Sequence, residues 1–393
     1  MKKFTASLLI LASAYSFAQQ KDNNPILTGA PFLRISPDAR AGGLGDQGVA
    51  TSADNYSQYW NAAKYSFAPD YSGVAFSYTP YMSSLTSDVF LLNASYYSFL
   101  GQDERSTISA SIYYFNMGEI QLNSLNASTG SIQNDGTSKP NEFSIDLAYG
   151  LRLSDTYSMA VTGRFIRSDL FNGISDGTVQ PANTFAVDLA GYYQSETMST
   201  NNFDGKLRAG FQVSNIGPKL DYSNSEDNSS YLPTTLRLGI GYDFKFDEYN
   251  KVGLTTEFSK LLVPTPTYKT DEDGNIIPGS GYIPNKGVVS GIFSSFGDAP
   301  GGGSEELKEV MYAIGAEYSY NEALFLRTGY FHESKMKGDR QYLTLGLGLK
   351  YNSFAFNASY LIPTSSTNNA LENTLRFGIA WNFGGETDNN YDY

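Results

Sequence analysis

The chain has 393 residues and a formal net charge of −13 at neutral pH. This acidic balance excludes the basic surface that nucleic-acid binding requires. The chain has no cysteine, so a disulfide framework is excluded and a large core or a lipid environment must supply the stability. Aromatic residues make up 15% of the chain, with 30 Tyr and 25 Phe, an excess typical of the interfacial girdles of membrane proteins.

The first residues, MKKFTASLLILASAYSFAQQ, have the layout of a signal peptide. Lys2 and Lys3 supply the positive end, residues 8–14 supply a short apolar core, and small residues surround a cleavage site after Ala18. A membrane anchor is the alternative, but the apolar run is too short to span a bilayer. No cysteine follows the site, which excludes a lipid-modified N-terminus. The sequence therefore predicts a signal peptide over residues 1–18 and export through the inner membrane.

Many later segments alternate large apolar residues with glycine, small or charged residues. In LTLGLGLKY (343–351) the odd positions are Leu or Tyr, and the even positions are Thr, Gly or Lys. This period of two is that of a β-strand with one apolar face. The segments run for about 10–13 residues, beyond the ~5–6 of soluble sheets and near the ~9–11 that cross a bilayer obliquely. No stretch offers the ~18 apolar residues of a membrane-spanning helix, so the pattern favours a barrel.

About fourteen such segments occur, and the connections between them alternate between long and short. Short periplasmic turns and long outer loops are typical of outer-membrane barrels. We therefore predict an all-β fold, a transmembrane antiparallel β-barrel of about 14 strands over residues 69–383, with a polar periplasmic tail over 384–393. An even strand count places both chain ends in the periplasm. The predicted strands are 71–80, 88–100, 105–117, 142–154, 157–168, 183–195, 205–216, 234–246, 251–260, 309–320, 323–331, 341–351, 353–362 and 371–383.

Residues 261–308 form the longest connection, and a connection of this length is usually functional or mobile. Its first part predicts a small hairpin that turns at Asp273-Gly274-Asn275. Its second part carries an apolar cluster in what should be an exposed loop, and such patches often mark protein-interaction sites. The alternative is that the cluster packs onto the loop's own hairpin. The cluster consists of Val288, Val289, Ile292, Phe293 and Phe296.

Residues suited to catalysis or metal binding are mostly absent. His332 is the one histidine, and a solvated loop residue is its simplest interpretation. DEDGN (271–275) lacks the later glutamate of a calcium loop, and GGLGDQG (42–48) lacks the lysine of a phosphate-binding loop. No G-x-S-x-G nucleophile motif occurs. We expect no enzymatic activity and no cofactor.

The segment before the first strand is rich in glycine and small residues and is not itself a strand. Together with the fourteen strands, residues 29–67 resemble the PorV family, outer-membrane proteins of the type IX secretion system of Bacteroidota. That family is similar in fold to the FadL long-chain fatty-acid transporters. Relatives often carry Asn-Pro-Ala where residues 61–63 are Asn-Ala-Ala, a difference that changes a turn. The residues that carry the resemblance are Ser36-Pro37-Asp38-Ala39-Arg40-Ala41, Gly42, Gly43, Gly45, Tyr59, Trp60 and Asn61.

The resemblance implies that residues 19–68 fold inward and plug the lumen. Small residues permit close packing there and glycines permit sharp bends. A disordered periplasmic leader is the alternative, which the aromatic residues of the segment disfavour. Arg40 and Asp46 are expected to pair with lumen charges, because buried charge should be paired. The candidate partners are Asp146, Arg237, Asp243 and Arg376.

The resemblance also implies a non-enzymatic role in protein secretion. Such a protein binds the C-terminal signal domain of cargo that leaves a giant outer-membrane translocon barrel, and delivers it to a PorU-type attachment complex at the cell surface. The expected partners are these proteins and the lipids of the outer membrane, with no nucleic acid. The runner-up is uptake of hydrophobic small molecules, as in FadL. An outer-membrane hydrolase is a third possibility, for which no catalytic pair can be nominated.

Overall fold

The computed structural model describes residues 24–81, 88–101, 103–125, 130–170, 180–222, 229–268, 281–365 and 374–387. No helix in these ranges is long and apolar enough to cross a membrane. The predicted signal peptide, residues 1–18, lies outside them. The strands are β1 Asp70–Pro80, β2 Val89–Leu100, β3 Ser106–Met117, β4 Ile120–Leu125, β5 Ile132–Ser138, β6 Asn141–Ser154, β7 Tyr157–Asp169, β8 Ala182–Gln194, β9 Met198–Ser199, β10 Asp204–Ile216, β11 Thr235–Lys245, β12 Asn250–Leu261, β13 Met311–Tyr320, β14 Leu324–His332, β15 Gln341–Tyr351, β16 Phe354–Pro363 and β17 Leu375–Glu386.

Within the described ranges, fourteen long strands form one closed antiparallel barrel. Each long strand pairs with its neighbours in sequence, and β17 pairs with β1 to close the barrel. The predicted all-β barrel is therefore confirmed, and most strand ends agree within two residues. The last strand differs, because it continues through residues 384–386, which we had assigned to the tail. Asp70 of β1 pairs with Glu386 there and ends the ladder.

The barrel carries its apolar side chains on the outside. Along β15, Leu343, Leu345 and Leu347 are exposed, whereas Thr344 between them is buried. The same alternation of buried and exposed residues recurs along β2, β3 and β8. An apolar exterior suits lipid, and a lumen lined by polar and small side chains is typical of outer-membrane barrels.

Two connections contain structure of their own. Strands β4 and β5 form a separate two-stranded sheet inside residues 118–140, which we had predicted only as a connection. The predicted turn at Asp273-Gly274-Asn275 lies outside the described residues. On either side of it, Thr267 and Tyr282 exchange two backbone hydrogen bonds of 2.9 Å. Two short helices follow, Val288–Ser294 and Gly303–Glu306.

The chain before β1 runs from one end of the barrel to the other. At the long-connection end, the amide of Asn24 donates to the carbonyl of Met336 at 2.8 Å, and its side chain donates to Glu305. At the short-turn end, the amide of Thr387 donates to the carbonyl of Pro69 at 2.9 Å. The N-terminal chain end, which we expect in the periplasm, lies outside the described residues, but residue 24 lies at the opposite, long-connection end. The strand count determines only on which side of the membrane the strands begin and end. It does not determine the path of residues 24–69, which pass through the lumen.

This topology can be tested by surface labelling, because the natural chain has no cysteine. Leu27 is 62% exposed at the outer end, and Asp155 is exposed in a turn at the opposite end. A membrane-impermeant maleimide should label Leu27→Cys in intact cells and should label Asp155→Cys only after the outer membrane is permeabilised. Ser304→Cys, exposed on an outer connection, is the positive control. Labelling of Leu27→Cys only after permeabilisation would contradict the assigned direction of the segment.

Candidate functional site

The N-terminal segment, defined here as residues 24–68, lies inside the barrel. Four short helices form it: Pro31–Arg34, Ala39–Gly42, Ser57–Trp60 and Ala62–Phe67. Its backbone and side chains bond to residues on strands from all sides of the barrel, which only a segment in the lumen can do. The barrel residues are Ser77 on β1, Ser95 on β2, Ser158 on β7, Tyr192 on β8, Gln212 on β10, Glu257 on β12, Glu317 on β13, Thr344 on β15 and Arg376 on β17.

Glycines of the barrel wall allow the segment to approach closely. A Cβ atom on Gly329 would lie 2.1 Å from the backbone of Leu44, and one on Gly315 would lie 2.6 Å from the Leu44 carbonyl oxygen. Gly43 of the segment meets Gly346 of β15 in the same way. Gly45 has a φ of +80°, a conformation that favours glycine. The glycines and small residues on the lumen face of the strands therefore leave room for the segment.

Partly buried ion pairs attach the segment to the barrel wall. Arg40 pairs with Asp54 of the segment at 2.6 Å and with Glu317 of β13 at 3.1 Å. Glu317 also pairs with Arg327 of β14 at 2.5 Å. A single carboxylate thus joins two guanidinium groups, one from the segment and one from the barrel.

The partners expected for Arg40 and Asp46 are found only in part. Asp46 pairs with Arg376 at 2.7 Å, as predicted. The side chain of Arg376 is also close enough to Gly42 that a Cβ atom there would lie 2.5 Å from its Nη1 atom. The predicted carboxylate partners of Arg40, Asp146 and Asp243, were wrong, because arginines on neighbouring strands pair with both carboxylates. Asp146 pairs with Arg164, Asp243 pairs with Arg208, and Arg237 lies 3.7 Å from Glu257.

The aromatic and amide residues of the resemblance motif hold the segment together. The indole of Trp60 donates to the Asp38 carboxylate at 2.8 Å, and the Tyr59 hydroxyl donates to the carbonyl of Leu33 at 2.9 Å. The side chain of Asn61 accepts from the Ala63 amide and donates to backbone carbonyls of both the segment and β8. These bonds tie the turn at residues 61–63 to the rest of the segment.

Two cavities lie on opposite sides of the segment. The outer cavity has a volume of about 310 Å³ and is lined by Arg34, Tyr59, Arg340 and other residues of the outer end. The periplasmic cavity has a volume of about 180 Å³ and is lined by Arg40, Glu317 and other residues of the opposite end. Among the described residues, none lines both cavities, so the segment separates them.

The apolar cluster of the longest connection is largely exposed. Helix Val288–Ser294 turns its small residues toward the protein, with Gly291 beside Pro264 and Tyr231. Its large side chains point away: Phe293 is 74% exposed, Phe296 54% and Val289 65%. Val288 and Ile292 are half-buried. Packing of the cluster onto its own connection can therefore account for at most two of the five residues, Val288 and Ile292. Leu307 of the same connection, which sequence reasoning had not included, is also exposed.

A family model described as type IX secretion system protein PorV matches residues 18–268. The chain belongs to the PorV family. No match was found among curated proteins. The match covers the segment and the strands from β1 to β12, so the sequence resemblance is confirmed. With the lipid-facing exterior of the barrel, it places the protein in the outer membrane.

Solved structures of similar fold are hydrocarbon and FadL-type barrels. A TodX monoaromatic hydrocarbon channel lacking S2 and S3 is 13% identical, with 88% of this chain and 99% of that chain covered and a TM-score of 0.52. The Pseudomonas putida toluene transporter TodX is 10% identical, with 89% and 98% covered and a TM-score of 0.49. A Pseudomonas aeruginosa FadL homologue is 9% identical, with 92% and 100% covered and a TM-score of 0.44. The first of these shows a shared fold and nothing further.

The shared carboxylate of Glu317 yields a stability prediction. Glu317→Gln removes the negative charge between Arg40 and Arg327, so that Arg40 keeps only Asp54 and Arg327 loses the carboxylate it contacts. Breaking a partly buried charged pair in this way should lower the free energy of unfolding by about 1–3 kcal/mol. Thermal unfolding of the purified protein in detergent, followed by circular dichroism, measures the change. Glu322→Gln, in an exposed turn at the end of the same strand, should leave the midpoint unchanged.

Lys64 of the segment yields a pH prediction. Burial lowers the pKa of Lys64 to about 8, and its ammonium donates to the Gly48 carbonyl and the Thr51 hydroxyl. Between about pH 8 and the ordinary value of 10.5, the unfolded chain binds more protons, so stability should rise with pH. Relative to Lys64→Met, the wild type should gain about 2–3 kcal/mol over this range. A difference in unfolding free energy between wild type and Lys64→Met that stays constant with pH would contradict the lowered pKa of Lys64.

Proposed function

We propose that this protein is a non-enzymatic carrier of the type IX secretion system. It binds the C-terminal signal domain of cargo that leaves the translocon barrel and delivers the cargo to the PorU-type attachment complex at the cell surface. The match of the PorV family model to residues 18–268 carries the proposal. We also propose that residues 1–18 are removed on export.

The filled lumen supports a carrier better than a pore. The segment is held by partly buried ion pairs to β13 and β17, and no described residue lines the cavities on both of its sides. A solute would have to break these contacts to pass. Uptake of a hydrophobic small molecule, the runner-up, needs such a route or an opening in the wall. The TodX structures are described as toluene transporters and hydrocarbon channels, and the likeness to them concerns the fold alone.

The exposed helix supports contact with another protein. Three large apolar side chains, Val289, Phe293 and Phe296, point outward on the outer connection, whereas glycine and serine face the barrel. A monomer that folded in isolation would gain stability from the opposite arrangement, because burying an aromatic side chain is favourable. We propose that this surface contacts the translocon barrel or the cargo.

Affinity purification of the tagged protein from native outer membranes in mild detergent tests the function. We expect a very large barrel protein, or secreted proteins that share one C-terminal domain, to be recovered with it. Mass spectrometry identifies the proteins, and lipid extraction of the same sample identifies bound small molecules. Recovery of the protein alone with a fatty acid or hydrocarbon would support uptake and would contradict the carrier function.

The contact surface is tested by the double substitution Phe293→Asp with Phe296→Asp. Two charges on this surface should abolish recovery of the partner and retain cargo inside the cell, because desolvating unpaired charges in an interface is costly. Ser290→Asp with Ser304→Asp is the matched control, since it adds the same charge to exposed polar positions of the same connection. Normal secretion and normal partner recovery with the double Phe variant would contradict the proposed role of the helix.

A further inference from the structure

The outer cavity contains an excess of arginine. Four guanidinium groups line it, and they come from four separate parts of the chain. Arg34 belongs to the N-terminal segment, Arg237 to β11, Arg340 to the connection before β15, and Arg376 to β17. Because separate elements deliver these groups to one space, the cluster depends on the folded barrel and on the position of the segment.

Carboxylates neutralise these arginines incompletely. Glu333 serves two of them, with Arg34 at 3.2 Å and Arg340 at 2.7 Å. Arg376 has Asp46, but the carboxylate nearest to Arg237 is Glu257 at 3.7 Å. That carboxylate already accepts two backbone amides through its Oε2 atom, from Gly48 and Val49. Among the described residues, Glu333 is therefore the carboxylate that pairs with both Arg34 and Arg340, which leaves one positive charge on these two groups.

The surroundings of Arg34 lower the pKa of its guanidinium. Burial, and next the neighbouring Arg340, lower the pKa of Arg34 to about 10, although Glu333 acts in the opposite direction. An added anion in the cavity would oppose this shift, because an opposite charge nearby favours the charged form of arginine.

Two buried polar atoms on residues of the cavity lining have no hydrogen-bond partner within the described part of the chain. These are the Nε atom of Arg376 and the Oγ atom of Ser36. Their residues are 1% and 3% exposed, respectively. Neither atom has accessible surface of its own, so a bound anion would be held by the more exposed side chains of Arg34 and Arg340.

We propose that the outer cavity binds a carboxylate at the end of a short chain. Arginine suits a carboxylate because its planar fork donates two parallel hydrogen bonds. The volume of about 310 Å³ lies at the lower end of the ~300–1,000 Å³ usual for ligand pockets, so the carboxylate can carry several further atoms. The rings of Tyr59, Tyr81 and Phe331 supply apolar lining for those atoms.

The carboxylate could be the free C-terminus of a peptide or the headgroup of a fatty acid. Both present the same anion to the arginines. The site does not depend on the proposed secretion function, because its positive charge would favour a carboxylate from either source.

Calorimetric titration of the full-length protein in neutral detergent tests the site. The probes are N-acetyl-dialanine, its C-terminal amide and hexanoate, all at constant ionic strength. We expect saturable one-to-one binding of at least one acid and none of the amide. Arg237→Gln should weaken binding about ten-fold or more, since it removes a charged hydrogen-bond donor. Arg105→Gln, exposed in a turn at the opposite end, should leave binding unchanged.

Each outcome decides a part of the proposal. Binding of the acetylated dipeptide alone supports a peptide C-terminus, and binding of hexanoate alone supports a fatty acid. Equal binding of acid and amide, unchanged binding to Arg237→Gln, or no saturable binding to the wild type would overturn the site. If Arg237→Gln does not fold, Arg34→Gln replaces it, because the side chain of Arg34 is 21% exposed and its loss disturbs less of the core.

Discussion

A chain that crosses lipid as strands must bond all of its backbone groups to itself, and the pairing of β17 with β1 achieves this. Closure has a second effect, because each strand then presents one face to lipid and the other to an enclosed space. The apolar side chains occupy the outer face, so glycine, small polar and charged residues are concentrated in the lumen. The main features of the interior follow from this division.

Charges enclosed in such a space need partners, and the N-terminal segment supplies several of them. Asp46 meets Arg376, and Arg40 meets Glu317. Where the wall supplies both charges, as with Arg164 and Asp146, neighbouring strands form the pair. The outer cavity is the place where this compensation is incomplete. Its arginines and the exposed phenylalanines of the outer connection lie toward the same end of the barrel, the end that faces secreted proteins in the proposed function.

The sequence predicted the strands well because alternation along a strand can be read residue by residue. It predicted β15 over 341–351 and missed the end of β17, because Gly384 and Gly385 resemble the start of a loose tail. The family was also predictable, since the motif around residues 36–61 is local in sequence.

The partners in the lumen were less predictable, because they depend on register and on the path of the segment. Glu317 lies on the lumen face of β13, as Ala313 and Gly315 do. The sequence alternation could predict that face, but it could not predict the contact with Arg40. The exposure of Phe293 could have been inferred from the small residues Gly291 and Ser295, which occur at helical spacing and mark the side that packs. The direction of the segment had no such local signal.

That direction constrains how the barrel is assembled. Because residue 24 lies at the surface end and the segment ends beside Pro69, the first described residues must cross the membrane as well as the strands. A bulky domain fused ahead of Asn24 would have to cross the membrane with the segment. The same domain fused after Thr387 would remain in the periplasm, so the two termini differ as places to attach a reporter.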